Sequence, residues 1–225
     1  MTIAFTVPST SNGKDWETIQ DTFLYKIFLP SLEILKEDIA VYIGYDNDDK
    51  LYSNISLPTN YKNINLKWIP FDSSFKGKPC HIWNKLSELA FKESEYVFCC
   101  GDDIQLDSNE NWLKVFIDYL KTNNNIGYSA GWSNNDNIPT QFLFHKKHFD
   151  IFGFIYPPAI HNWYCDDFIY GLYGRFGNWL KDYKHLNLGG TPRYTPNNDK
   201  TLCQMLIRRH KKQLNKYQNN FKYMD

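Results

Sequence analysis

Residues Tyr96-Val97-Phe98-Cys99-Cys100-Gly101-Asp102-Asp103-Ile104 decide how this chain is read. The apolar run Tyr96–Cys100 predicts a short strand buried on both faces, as in the middle of a parallel sheet. Two carboxylates follow it. Open α/β sheets bind ligands beyond the C-terminal ends of their strands. Adjacent carboxylates repel each other there unless a cation or polar ligand compensates them. A hard divalent metal that also grips a diphosphate would do so. The plainer reading of Asp-Asp after a strand is a turn or a helix cap.

Strand and helix signals alternate around this stretch. Ile3–Val7, Ile39–Tyr45 and Ile64–Ile69 read as strands. Trp16, Ile19, Phe23 and Ile27 recur at helical spacing, and Pro30 marks a break or a new start. Ile82, Leu86, Leu89 and Ala90 mark one helix face. Asn109–Lys121 reads as a helix with Trp112, Val115, Phe116 and Tyr119 inward. Ile126–Ala130 and Gln141–Phe144 are further strands, and Gly153–His161 is a loop. Asp166–Lys181 reads as helical despite Gly171, Gly174 and Gly177. Gly189-Gly190-Thr191-Pro192 marks a turn. Asn198–Phe221 reads as a polar, basic terminal helix with a sparse apolar stripe. This alternation predicts an α/β fold with a central, mostly parallel mixed sheet flanked by helices. No repeat or linker divides residues 1–225, which are expected to form one domain.

The 225 residues include 25 basic and 25 acidic side chains, so no global field points to nucleic acid or to an anionic membrane as a partner. Five cysteines without a CxxC pair give neither a zinc motif nor an even disulfide set. A reducing compartment, and so a cytoplasmic location, is the expectation. No apolar run reaches membrane-spanning length. The 16 Tyr, 16 Phe and 7 Trp residues serve chiefly as core.

One longer constellation carries a family resemblance. Gly77-Lys78-Pro79-Cys80-His81-Ile82-Trp83-Asn84-Lys85-Leu86 leads through Ala90 to the Tyr96–Asp103 stretch. This order resembles the middle of the GT-A glycosyltransferases, which read G…N…A…(E/D)Y…DxD. The resemblance covers residues 1–195, with the small virus-encoded enzymes as the nearest type. It implies a GT-A (Rossmann-like) fold, transfer from a UDP-sugar to a glycan or glycoprotein hydroxyl, and Mn²⁺ or Mg²⁺ as cofactor. It further implies a nucleotide-sugar-binding half over 1–105, an acceptor-binding half over 106–197 and a C-terminal helix over 198–225. The departure is Gly101 at the first DxD position. Carried over, Asp103 is the metal ligand and Asp102 contacts the ribose or a metal-bound water.

The resemblance extends to other positions. Asn162-Trp163-Tyr164-Cys165-Asp166-Asp167-Phe168 resembles the acidic motif that opens a helix near the acceptor. It implies Asp167 as general base with Asp166 in support; a first-turn aspartate also has a purely structural use. His185 has the order of the third metal ligand, with His161 and His145 as alternatives. Pro8, Ser9 and Thr10 leave the first strand where GT-A proteins cradle the nucleotide. Asp46, Lys78 and Asn84 are expected near the base, ribose or phosphates. Arg193 reads either as a phosphate contact or as half of a structural ion pair. Trp132 and Trp163 are expected at the acceptor pocket. A nucleotidyltransferase is disfavoured because the loop after the first strand has only Gly13 and Lys14. A binding module that kept the fold without turnover is the other alternative.

Overall fold

A computed structural model describes residues 2–189, 193–196 and 199–221. Its strands are β1 (Thr2–Pro8), β2 (Asp38–Asp46), β3 (Asn60–Tyr61), β4 (Ile64–Phe71), β5 (Tyr96–Cys99), β6 (Ile104–Gln105), β7 (Tyr128–Trp132), β8 (Phe142–His145), β9 (Gly177–Lys184) and β10 (Leu186–Asn187). Its helices are α1 (Leu29–Leu32), α2 (Pro79–Ala90), α3 (Trp112–Thr122), α4 (Lys146–Phe152), α5 (Cys165–Tyr173) and α6 (Lys200–Phe221). Eight strands form one mixed sheet in the order β3-β4-β2-β1-β5-β8-β7-β9. The run β4-β2-β1-β5 is parallel, and β8 joins it antiparallel. A small antiparallel ribbon pairs β10 with β6 just beyond β5.

The strand alternation divides the core between the two faces of the sheet. Ile3, Phe5 and Val7 of β1 join Phe98 of β5 on the side covered by α1 and α3. Ala4, Val97 and Cys99 face the side covered by α2, α4, α5 and α6. Phe98 packs against Phe5 and Trp112 at centroid distances of 5.4 and 5.3 Å. Truncating so enclosed an aromatic costs about 3–5 kcal/mol.

Pro30 marks a new start, one of the two readings the sequence offers: it lies in the first turn of α1, directly after the π-helical stretch Leu24–Phe28. Two sequence expectations differ from the structure. Tyr119 is 44% exposed, because α3 instead buries Trp112, Leu113, Phe116, Ile117 and Leu120. The stretch 166–181 is not one helix. α5 stops at Gly174, whose φ is +52°, and the chain continues as β9, parallel to β7. Gly177 is required at the start of β9 because a Cβ there would strike the Tyr128 ring. Residues 190–192 of the expected glycine turn, and residues 198 and 222–225 of the expected C-terminal helix, lie outside the described residues.

Candidate active site

The C-terminal ends of β1, β2 and β5 open into a cleft of about 550 Å³. Pro8, Ser9, Thr10, Asp46, Lys78 and Asp103 line it together with Trp163, Asp166 and Asp167. The two acid pairs, distant in sequence, thus converge on one space. Trp83 closes the floor by donating from Nε1 to the carbonyls of Thr6 and Cys100, both at 3.1 Å. That clamp ties the ends of β1 and β5 together beneath the acids.

The Asp102-Asp103 turn is built around two glycines. A Cβ on Gly101 would sit 2.5 Å from Asp103 Oδ1, and one on Gly189 would overlap the same carboxylate. The Asp103 side chain thus folds back over Gly101 and leaves no room for a side chain there. The Leu188 amide donates to the Asp103 carbonyl at 2.9 Å, which holds the 188–189 segment against the turn.

The two aspartates differ in compensation. Asp102 is fully buried and accepts from Ser9 Oγ at 2.5 Å and from Arg193 Nη1 at 2.9 Å. Arg193 Nη2 completes the bidentate fork on Asp102 and lies 3.7 Å from Asp103 Oδ2. Asp103 is pushed up to about 6 by burial and by the Asp102 charge, with Arg193 opposing. One guanidinium thus neutralises one of two carboxylates and leaves an uncompensated charge facing the cleft. That is suitable for a divalent cation held through one carboxylate plus phosphate oxygens and water.

A second protein ligand from His185 does not fit this arrangement. His185 is fully buried, with its ring 4.5 Å from that of Trp112 and 5.3 Å from that of Phe98. Burial drives its pKa down to about 3, and neither ring nitrogen has a hydrogen-bond partner among the described residues. It is absent from the cleft lining. The alternatives also lie elsewhere. His145 caps α4 by accepting from the Lys147 amide, and the His161 ring stacks edge-on against His81. Among the described residues, no three His, Cys, Asp or Glu side chains form a metal-holding group.

Two other expected contacts are displaced. Asn84 accepts from the Ile155 and Tyr156 amides, both at 2.9 Å, and donates to the Tyr156 carbonyl at 2.7 Å. It pins the 155–156 loop to α2 and does not line the cleft. Trp132 donates from Nε1 to Asp136 at 2.8 Å; Asn135 and Ile138, just beyond it, reach the cleft in its place.

Where β1 and β2 end, sequence reasoning missed three residues: Asn12, Asp49 and Tyr194. Asp46 is 5% exposed and accepts from Tyr194 Oη at 2.6 Å. It also borders an adjoining cavity of about 530 Å³. Asp49 holds the loop after β1 by accepting from the Ser11 amide and hydroxyl, both at 2.7 Å. Arg193 donates to the Thr10 carbonyl at 3.0 Å, and Asn12 donates to the Arg193 carbonyl at 2.8 Å. The Asp46–Asp49 turn and the charge on Arg193 are visible in sequence, but the Asp49 pairing with Ser11 spans 38 residues and those of Arg193 and Tyr194 span more than 140.

At the other end, Asp166 and Asp167 occupy the first turn of α5, where the helix dipole favours anions. Burial pushes Asp166 up to about 7, the Asp167 charge adds to this, and the Cys165 thiol opposes it. Asp167 is exposed in the cleft. Trp163, just before α5, is 49% exposed beside it.

No protein-family profile and no curated protein matches the chain in sequence. Solved structures do match in fold. TarS of S. aureus superposes with a TM-score of 0.54 at 13% identity, over 82% of this chain and 36% of that one. TarS 1–349 gives 0.52 at 15% identity, over 82% and 60%. A mannosyltransferase of Pyrobaculum calidifontis, PcManGT, in complex with GDP-Man and Mn²⁺, gives 0.55 at 11% identity, over 82% and 56%. The chain thus spans between about a third and three fifths of the solved chains it resembles. At this identity the likeness establishes the α/β fold with its large mixed sheet.

Proposed function

We propose that the protein is a metal-dependent glycosyltransferase that moves a sugar from a UDP-sugar to a hydroxyl of a glycan or glycoprotein. The observation that carries this reading is the convergence of Asp103 and Asp167 on one cleft, with Ser9, Thr10, Asp46 and Lys78 along it. The fold shared with a mannosyltransferase structure that holds GDP-Man and Mn²⁺ supports glycosyl transfer and a divalent cation without selecting uridine.

In this reading Pro8, Ser9 and Thr10 flank the nucleoside. Asp46, which now accepts from Tyr194, offers its carboxylate to N–H groups of the base. Lys78 faces the diphosphate, and Asp102, locked by Arg193, keeps the turn in shape. Mn²⁺ or Mg²⁺ at Asp103 supplies neutralisation of the charge that builds on the leaving diphosphate. Asp167 takes the proton of the acceptor hydroxyl, and Asp166 beside it supports that role. Trp163 presents a ring face to the acceptor sugar. Trp132, Asn84 and His185 support the walls from behind.

The test is nucleoside diphosphate release from a panel of UDP- and GDP-sugars, with Mn²⁺ or with EDTA. Release from a UDP-sugar that stops in EDTA is expected. Full release in EDTA would remove the cation from the reaction, and release from GDP-sugars alone would reassign the base. Donor binding without release or transfer, for any donor and acceptor, would leave a binding module.

A further inference from the structure

The chain is neutral overall, but its charge is segregated. α6 carries Lys200, Arg208, Arg209, Lys211, Lys212 and Lys216 and no acid, leaving nineteen cations against twenty-five acids in the rest of the chain. None of these six forms an ion pair among the described residues. All six are exposed. The opposite stripe of the helix packs inward: Cys203 and Leu214 are buried, and the Ile207 side chain fills the space over Gly171 of α5. Helical spacing therefore sets the cations on one outward arc.

That arc is continued at the C-terminal end of α6. A cavity of about 790 Å³ there is lined by Lys147, Arg175, Asn123, Asn215 and Gln218, among others, and by no acid. At the other end, the Cys203 thiol donates to the Tyr164 carbonyl, one residue before α5 begins. The basic arc thus runs from the wall of the cleft to a second, acid-free depression.

We infer that the outer face of α6 seats the protein on the surface of an anionic lipid bilayer. Clustered Lys and Arg on an amphipathic helix bind anionic headgroups through the surface potential. The apolar stripe is packed and, among the described residues of α6, Met205 alone of the large apolar side chains stands exposed among the cations, so the contact is chiefly electrostatic. A flat anionic surface can meet this arc, whereas a nucleic acid that wraps the protein meets its acidic remainder. Among the described residues, the helical arc itself carries no aromatic side chain on which bases could stack; Phe176 and Tyr217 line only the depression at its end. Laid flat on α6, the protein holds its cleft beside the bilayer, where a membrane-presented acceptor is within reach; that last clause rests on the proposed transferase reading.

The test is co-sedimentation of the full chain with phosphatidylcholine vesicles, with and without phosphatidylglycerol. It needs no sugar nucleotide, so its outcome is independent of the transferase reading. The expected result is sedimentation with the anionic vesicles only, weakening as salt rises. The triple variant R208E/R209E/K212E should bind at least ~100-fold more weakly, at roughly 5-fold or more per reversed cation. The matching Gln variant should show an intermediate loss with an unchanged melting curve. The inference is overturned by any of three results: wild-type protein that stays in the supernatant, triple variants that bind as wild type does, or a DNA duplex bound more tightly than the vesicles.

Discussion

Asp102-Asp103 and Asp166-Asp167 belong to the same cleft but differ in what surrounds them. The first pair follows a buried strand and has a guanidinium built in, since Arg193 grips Asp102 and leaves Asp103 at about 6. The second pair opens a helix and has no cation partner among the described residues; its inner member sits at about 7 while Asp167 faces the cleft. Asp102 is enclosed and Asp103 alone of its pair lines the cleft, whereas the half-buried Asp166 and the exposed Asp167 both line it. The built-in cation makes the first pair a rigid platform with one spare negative charge, suited to a divalent ion. Its absence leaves the second pair free to accept a proton.

That contrast sets the expected sizes of three effects. The largest belongs to Asp167→Asn, which removes the proposed proton acceptor while leaving the proposed donor end intact. Turnover should fall ~100- to 10,000-fold, with donor affinity within a few-fold of wild type. Near-normal turnover would show that another group takes the proton.

Next is Arg193→Met, which strips Asp102 of its partner. Arg193 is 16% exposed and Asp102 not at all, so the change should cost about 3 kcal/mol and lower the melting midpoint by roughly 6–12 °C. Adding Asp102→Asn should recover part of the loss. If the single variant melted with wild type, the guanidinium would not be the built-in partner.

The smallest is Asp166→Asn. A carboxyl raised to about 7 binds its proton more tightly in the folded chain than in the unfolded one. Its stabilising contribution is present at low pH and is lost as pH rises from about 4 to about 7. The variant should therefore be more stable than wild type above pH 7, by about 1 kcal/mol once solvent screening is allowed for, with the difference fading toward pH 4. A pH-independent difference would mean that Asp166 is not the raised group.

What the sequence makes legible follows from the range of the interactions. The alternating run in β1 and the apolar run in β5 are local, and they place the central strands and the Asp102-Asp103 turn directly. The first-turn acids of α5 are local too. The end of α5 was not legible, because three glycines at near-helical spacing hide a strand that exists only by pairing with β7. His185 has the right order for a ligand, but its ring is claimed by Trp112, Phe98 and Phe116, a contact set by tertiary packing. Tyr194 and Gly189 matter through partners far away, Asp46 and Asp103; a glycine pair marks Gly189 as a turn, but no local pattern marks either partnership.

The most direct measurement is calorimetric titration of UDP into the protein with Mn²⁺, compared between wild type, Asp103→Asn and His185→Leu. Saturable binding that requires Mn²⁺, is lost in Asp103→Asn and persists within about two-fold in His185→Leu is the expected result. UDP binding that is indifferent to Mn²⁺ and unchanged in Asp103→Asn would contradict the assignment of this carboxylate as the cation's seat.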